Sequence, residues 1–292
     1  MSSWYDYILL HPEKPWDYYY LSKNPNITWD IVLQHPDADW KYTGTLAENP
    51  NITWDIVQTN PEIRWDFHHL SCNPTITDAI VEPNLDCPWD YKELSRNPGI
   101  TWDIIKRHPE REWCYILLSS NPNITWDIVQ TNPDKPWNYT YLSQNPNITW
   151  NIVLANPDIK WSYPRLSINP NITWDMVNSD PTKSWSYYSL SLNPNITWDI
   201  VNNIKKIWFC WHGDIIDQDF HYLSANPNIT WKIIVDEWHH MQWDYRQVSN
   251  NPNITWEIVS SNPQIKWDYQ FLSKNKMTKH EFFQSKLPYI LK

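Results

Sequence analysis

Glycine is almost missing: the chain holds 3 in 292 residues. With charged residues at only 19%, this is neither a flexible linker nor a charge-rich disordered segment. No apolar run approaches the roughly 18 residues that a membrane span needs. The opening, MSSWYDYILLHPEKP, has no basic stretch and no small-residue cleavage pattern, so no signal peptide is read and secretion is not expected. There are four cysteines, Cys72, Cys87, Cys114 and Cys210. They fall at different places in the pattern described below, so they form no recurring disulfide framework. A reducing compartment follows, which places the protein inside a cell. Basic residues are outnumbered 23 to 33, for a net charge of −10. Neutralising phosphates takes clustered Lys and Arg, so nucleic acid is not the expected partner, whereas a basic protein is compatible.

What is abundant is tryptophan, 23 residues, and proline, 24. Both belong to a repeat. The motif NPNIT, or a one-residue variant, begins at Asn24, Asn49, Asn73, Asn97, Asn121, Asn145, Asn169, Asn193, Asn226 and Asn251. The steps are 24 or 25 residues, except one of 33. NPTIT at Asn73 and NPGIT at Asn97 are the variants, and NKMTK at Asn275 is a decayed copy. Such a period means one array of stacked units, each touching mainly its neighbours. Residues 1–23 read as a truncated leading unit or cap, 24–274 as repeats with an insertion near 202–223, and 275–292 as a C-terminal cap.

Each unit divides again. Trp102, Trp113, Trp126, Trp137, Trp150, Trp161, Trp174 and Trp185 alternate at spacings of 11 and 13. A half so short suits one helix and one turn. Pro follows Asn in nearly every half and pushes that Asn out of helical conformation. Thr28 is placed to cap a helix starting at Trp29, with Asp30 near the positive end of its dipole. In the other half Asp134 or Asp158 is placed to cap, with the Trp three residues on. The apolar residues lack the clean alternation of strands, and one of the two helices suits a 3₁₀ turn.

The phrase LSxNPNITWDIVxxNPxxxWxYxxLSxNPNIT resembles the leucine-rich variant repeat. That resemblance implies a curved solenoid of alternating α and 3₁₀ helices. Here Trp stands where the family has smaller aliphatics. The Cys cluster of some members is absent, so no iron–sulfur role carries over. The Asn-, Ile- and Lys-rich style is also similar to tandem-repeat proteins of large DNA viruses, which would place the chain in an infected cytoplasm or a virion. The fold expected is all-α: a right-handed solenoid of about eleven units of 24 residues. With layers roughly 8–10 Å apart it would be a rod on the order of 100 Å long, capped at its ends.

Burying one Trp removes roughly 150–250 Å² from water, so the Trp series reads as core, each ring stacked over its equivalent in the next unit. Each indole N–H then needs an acceptor, for which the turn Asn carbonyl is the candidate. An Asn side chain offers both a donor and an acceptor, and can tie one turn to the next. The NIT sequons are by-products of that turn. Asn→Ala is expected to cost more at an interior copy than at Asn251, near the end.

Function is read where the pattern varies. The two positions after the second-half aromatic change from unit to unit and would choose a partner, among them His68, His69, Tyr141 and Arg165. The pattern breaks at Asp78, which replaces a Trp, and over Asn202–Leu223 and Val235–Trp243. The last two breaks add Trp211, His212, His221, Trp238, His239 and His240 to the candidate partner surface. They also bring Cys210, Asp214, Asp217, Asp219, Asp236 and Glu237 near, which would permit a metal or catalytic site, although no zinc spacing is matched. The expected function is a non-enzymatic scaffold for a protein partner, with no cofactor. Self-assembly into a structural array is the alternative from a different class.

Overall fold

Each NPNIT stretch ends in a threonine that starts a helix. Thr28, Thr125, Thr149 and Thr230 have extended backbones, and each hydroxyl accepts from the N–H three residues on, as Thr28 does from Ile31 at 3.3 Å. The helices that follow are short: Trp29–Gln34, Trp54–Thr59, Trp126–Thr131 and their equivalents. Each ends at a pre-proline residue held out of the helical region, as Asn60 is at φ −125, ψ 63. This computed structural model describes residues 4–41, 44–203, 222–237, 239 and 241–277. Among them it is all-helical, about twenty short helices with no strand.

The second helix of each unit begins later than the sequence suggests. Asp134 and Asp158 lie in the preceding turn, where Asp134 meets Lys135 at 3.0 Å on the surface. The cap is the residue after the Trp: Asp66 accepts from His68 N–H, Asp90 from Glu93 N–H and Asn138 from Tyr141 N–H. The cause is the indole. Trp137 Nε1 donates to the carbonyl of Asn132 at 2.9 Å, and Trp89 to that of Asn84 at 2.9 Å. The ring thus pins the turn behind it, and the helix can start only beyond it. The 3₁₀ helices are Thr45–Glu48 and Glu82–Asn84, and most units are α in both halves.

Asparagine joins unit to unit. Asn121 is buried, and its side-chain nitrogen donates to the carbonyls of Ser95 and Asn97, both at 3.0 Å. Its oxygen accepts from Asn123 N–H at 2.8 Å, closing the turn of its own unit. A serine row runs beside it: Ser119 Oγ donates to the Tyr115 carbonyl and accepts from Asn138 N–H in the next unit.

The ladder has no end. Asn275 donates to the Asn251 carbonyl at 2.8 Å, and Asn24 donates to the carbonyls of Asn275 and Ser273, both at 2.9 Å. Every leading asparagine, from Asn24 to Asn275, therefore bonds to the one before it in a closed circle of eleven. The long rod expected from the repeat is instead a ring. A small constant rotation per unit sets a solenoid's curvature, and here eleven such rotations complete a turn.

The closing unit is built from both ends of the chain. Asn275–Met277 supply its turn, while Trp4–Leu10 and Tyr18–Ser22 supply its helices. Residues 4–23 thus pack as the helical part of this closing unit. The capping helix expected over 278–292 lies outside the described residues.

Most second-half tryptophans are buried core and most first-half ones are half-buried against it, but they do not stack over their own equivalents. A first-half Trp meets the second-half Trp of the next unit: Trp102 with Trp137 at 5.5 Å between centroids, Trp126 with Trp161 at 5.8 Å, and Trp150 with Trp185 at 5.8 Å. The Tyr of one second helix then stands edge-on against the Trp of the next unit, as Tyr115 does on Trp137 at 5.3 Å. Bulk thus passes diagonally from unit to unit and locks the rotation. Where Asp78 replaces a Trp, its carboxylate instead accepts from the N–H and hydroxyl of Thr101 in the next unit. There the chains approach closely. A Cβ on Gly99 would overlap the Ile76 carbonyl, which accounts for glycine in that one copy.

Candidate functional site

In a closed circle, elements near the axis are closer together than elements at the rim. Second helices of successive units pack with Cα atoms within 8 Å: Tyr245–Asn250 against Tyr269–Lys274, that against Tyr18–Ser22, that against Thr45–Glu48, that against Phe67–Cys72, that against Tyr91–Arg96, and that against Tyr115–Leu118. First helices of neighbouring units touch at most at isolated points. The second helices therefore form the inner wall and the first helices the outer wall. The carboxylates after the first-half Trp, such as Asp30, Asp55 and Asp127, are exposed on the outer wall.

Among the described residues the inner wall presents an exposed, non-repeating side chain three residues after the second-half Trp. Tyr19, His68, Lys92, Ile116, Tyr188 and Arg246 occupy this row. One position on, Tyr20, His69, Tyr141 and Phe271 are half-buried beside it and Arg165 is exposed. The variable positions singled out in the sequence thus come together on one side of the ring.

Charge and aromatic rings are interleaved along this wall. Lys274 Nζ lies 3.9 Å from the Tyr20 ring centre and 4.3 Å from that of Phe271, and Arg246 stacks over Phe271 at 5.0 Å. Lys23 stands over Tyr19 at 4.8 Å and reaches Glu48 at 3.5 Å. Arg165 lies over Tyr141 and donates to Gln144 at 2.8 Å. Each such contact holds a cation against the face of a ring.

The densest polar group spans three units. His68 Nδ1 pairs with Asp90 at 2.7 Å, and His69 Nδ1 with Asp66 at 2.9 Å; the two rings are 5.2 Å apart. The hydrogen bond to Asp90 raises the His68 pKa against a smaller effect of burial. Burial opposes ionisation of Asp90, but the bonds from His68 and from Glu93 N–H outweigh it and lower its carboxyl. Burial raises the Cys72 thiol to about 11, despite the Arg96 guanidinium at 3.4 Å. Cys72 is therefore a neutral thiol at physiological pH and a poor nucleophile. Glu93, almost fully buried, is held by Arg96 at 2.5 Å. Among the described residues, no set of His, Cys, Asp and Glu side chains converges as metal ligands would.

Where the ends of the chain meet there is an open groove of about 760 Å³, lined by Trp16, Asp17, Tyr19, Lys41, Tyr269 and Gln270 among others. Of the second candidate region, His239 is exposed and stands apart from the His68 group. Trp211, His212, His221, Trp238 and His240 lie outside the described residues, as do Cys210, Asp214, Asp217 and Asp219. The metal or catalytic site read there falls mostly outside them as well.

Asp66, Asp90, Glu48 and Arg96 were not legible as site residues. Asp66 meets His68 and His69 as the cap of their own helix, while Asp90, Glu48 and Arg96 become neighbours of His68, His69 and Cys72 only when units stack. The signal was present in the spacing, since Asp90 lies 22 residues after His68 and so faces it across one joint. No family model, no curated protein and no solved structure matches this chain. No helix among the described residues is long and apolar enough to cross a membrane.

Proposed function

We propose that the protein is a non-enzymatic binding ring whose inner wall holds a protein partner. One observation carries this: among the described residues, the exposed side chains that escape the repeat are gathered in a row on the wall nearest the axis. An evenly repeated frame with one variable row is how solenoids choose partners. The row is rich in Tyr, His and Arg, the residue types enriched at interfaces. Acidic caps on the second helices, Asp17, Asp66, Asp90, Asp244 and Asp268, suit a basic partner. The likeness to leucine-rich variant repeats and to viral tandem-repeat proteins belongs to the same reading, and with it a place in the cytoplasm of an infected cell or in a virion.

The test compares the intact chain with the triple variant His68→Ala, Tyr141→Ala, Arg165→Ala in a pull-down, after thermal melts show that both fold. A protein retained by the first and lost from the second supports the reading. Equal retention by both, or by neither, removes the inner wall from the account.

A further inference from the structure

We propose that the closing joint exchanges between copies, so that residues 4–23 of one chain seat on the 269–277 edge of a second copy. This rests on the ring's closure and not on the binding function proposed above. At ten of the eleven joints the chain itself runs from one unit into the next, so units that part remain tethered. At the eleventh, where the 269–277 edge meets residues 4–26, no backbone crosses among the described residues. There the two edges meet through side-chain hydrogen bonds and ring contacts.

Those contacts are those of every other joint. Asp17 N–H donates to Ser273 Oγ at 3.1 Å, as Asn138 N–H does to Ser119 Oγ at 2.9 Å. Asn24 bridges to Ser273 and Asn275 as Asn121 bridges to Ser95 and Asn97. Trp16 and Tyr269 stand edge-on at 5.0 Å, as Trp113 and Tyr91 do at 5.1 Å. The two edges freed by opening are therefore complementary, and each finds the same partner on any second copy. Exchange of an identical element between protomers needs nothing more.

The joint also departs from the repeat. Trp256 faces the Tyr7 ring at 6.4 Å, where Trp231 has an indole, Trp267, at 5.9 Å. Lys276 stands where the other turns carry Pro. Opening is thus easier here than elsewhere, while closure within one chain is favoured by an effective concentration on the order of millimolar. A closed monomer is expected in dilute solution and an exchanged dimer in concentrated solution.

The test uses the full chain, unfolded in denaturant and refolded at about 1 μM, far below that balance, and at about 500 μM, close to it. Chromatography with light scattering then reads the mass. Monomer at the low concentration is expected, with a dimer at the high one that persists on dilution and reverts slowly. Asn26→Ala removes one bond across this joint, to Lys276, and should speed reversion about fivefold, the weight of one hydrogen bond. Asn147→Ala removes its counterpart at a tethered joint and should leave the rate unchanged. Monomer at both concentrations, a dimer that falls apart at once on dilution, or equal acceleration by both variants would each overturn the proposal.

Discussion

The side chain of Asn24 donates to the backbone carbonyl of Asn275 at 2.9 Å, across 251 residues of chain. Asn145 makes the same bond to Asn121 at 2.9 Å, across 24. The two bonds are physically the same joint, and the ring follows from that identity.

A ring has no terminal asparagine, so the gradient expected of a rod, large effects inside and small ones near Asn251, should not appear. Asn251 is fully buried and donates to Ser224, Asn226 and Ile229, much as Asn145 does to Ser119, Asn121 and Ile124. Asn145→Ala and Asn251→Ala should each cost about 2–4 kcal/mol, since buried carbonyls lose their donor. Denaturant titration of both variants checks this. A loss at Asn251 well below that at Asn145 would speak for an open array.

The serine row has one gap. Ala47 is fully buried at a position where Ser71, Ser119 and Ser249 each accept an N–H from the next unit. Ala47→Ser would supply that acceptor to Asp66 N–H and is expected to stabilise the chain by about 0.5–1 kcal/mol. Ser119→Ala should cost about as much. A thermal midpoint lowered by Ala47→Ser would show that the 3₁₀ turn at Thr45–Glu48 leaves no room for the hydroxyl.

The His68–Asp90 pair should make stability depend weakly on pH. The His68 pKa is raised on folding above the ordinary 6.5. Its contribution is therefore whole below 6.5 and lost as pH rises through the folded value. The Asp90 carboxyl is lowered from 3.8, so its contribution is present above 3.8 and lost as pH falls through the folded value. The pair is intact between. Half of the His68 side chain is exposed, so the effect is screened to about a few tenths of a kcal/mol. The melting temperature of the wild type should fall slightly relative to His68→Gln between pH 6 and pH 8.5. A difference that is flat over that range would discount the pair.

Much of the local structure was legible because its causes are local. Thr28 before Trp29 and Pro after Asn set where first helices start and stop within a few residues of sequence. Helix content and a buried Trp series followed from the same spacing. The start of the second helix was not legible from Asp134 or Asp158. It depends on where the Trp137 indole lands, and that requires the turn already folded. Nor was the pairing of Trp102 with Trp137, which joins different halves of successive units and is decided by how far one unit rotates on the next.

By itself, the sequence determined a helical repeat of a given period, with an asparagine tying each turn to the next and one row left to vary. Closure, the inner placement of that row, and the meeting of Asp90 with His68 were decided by tertiary structure alone. The physical reason is the angle between units. It is small, it is set by the packed volumes of rings such as Tyr115 and Trp137, and its sum over eleven joints separates a ring from a rod.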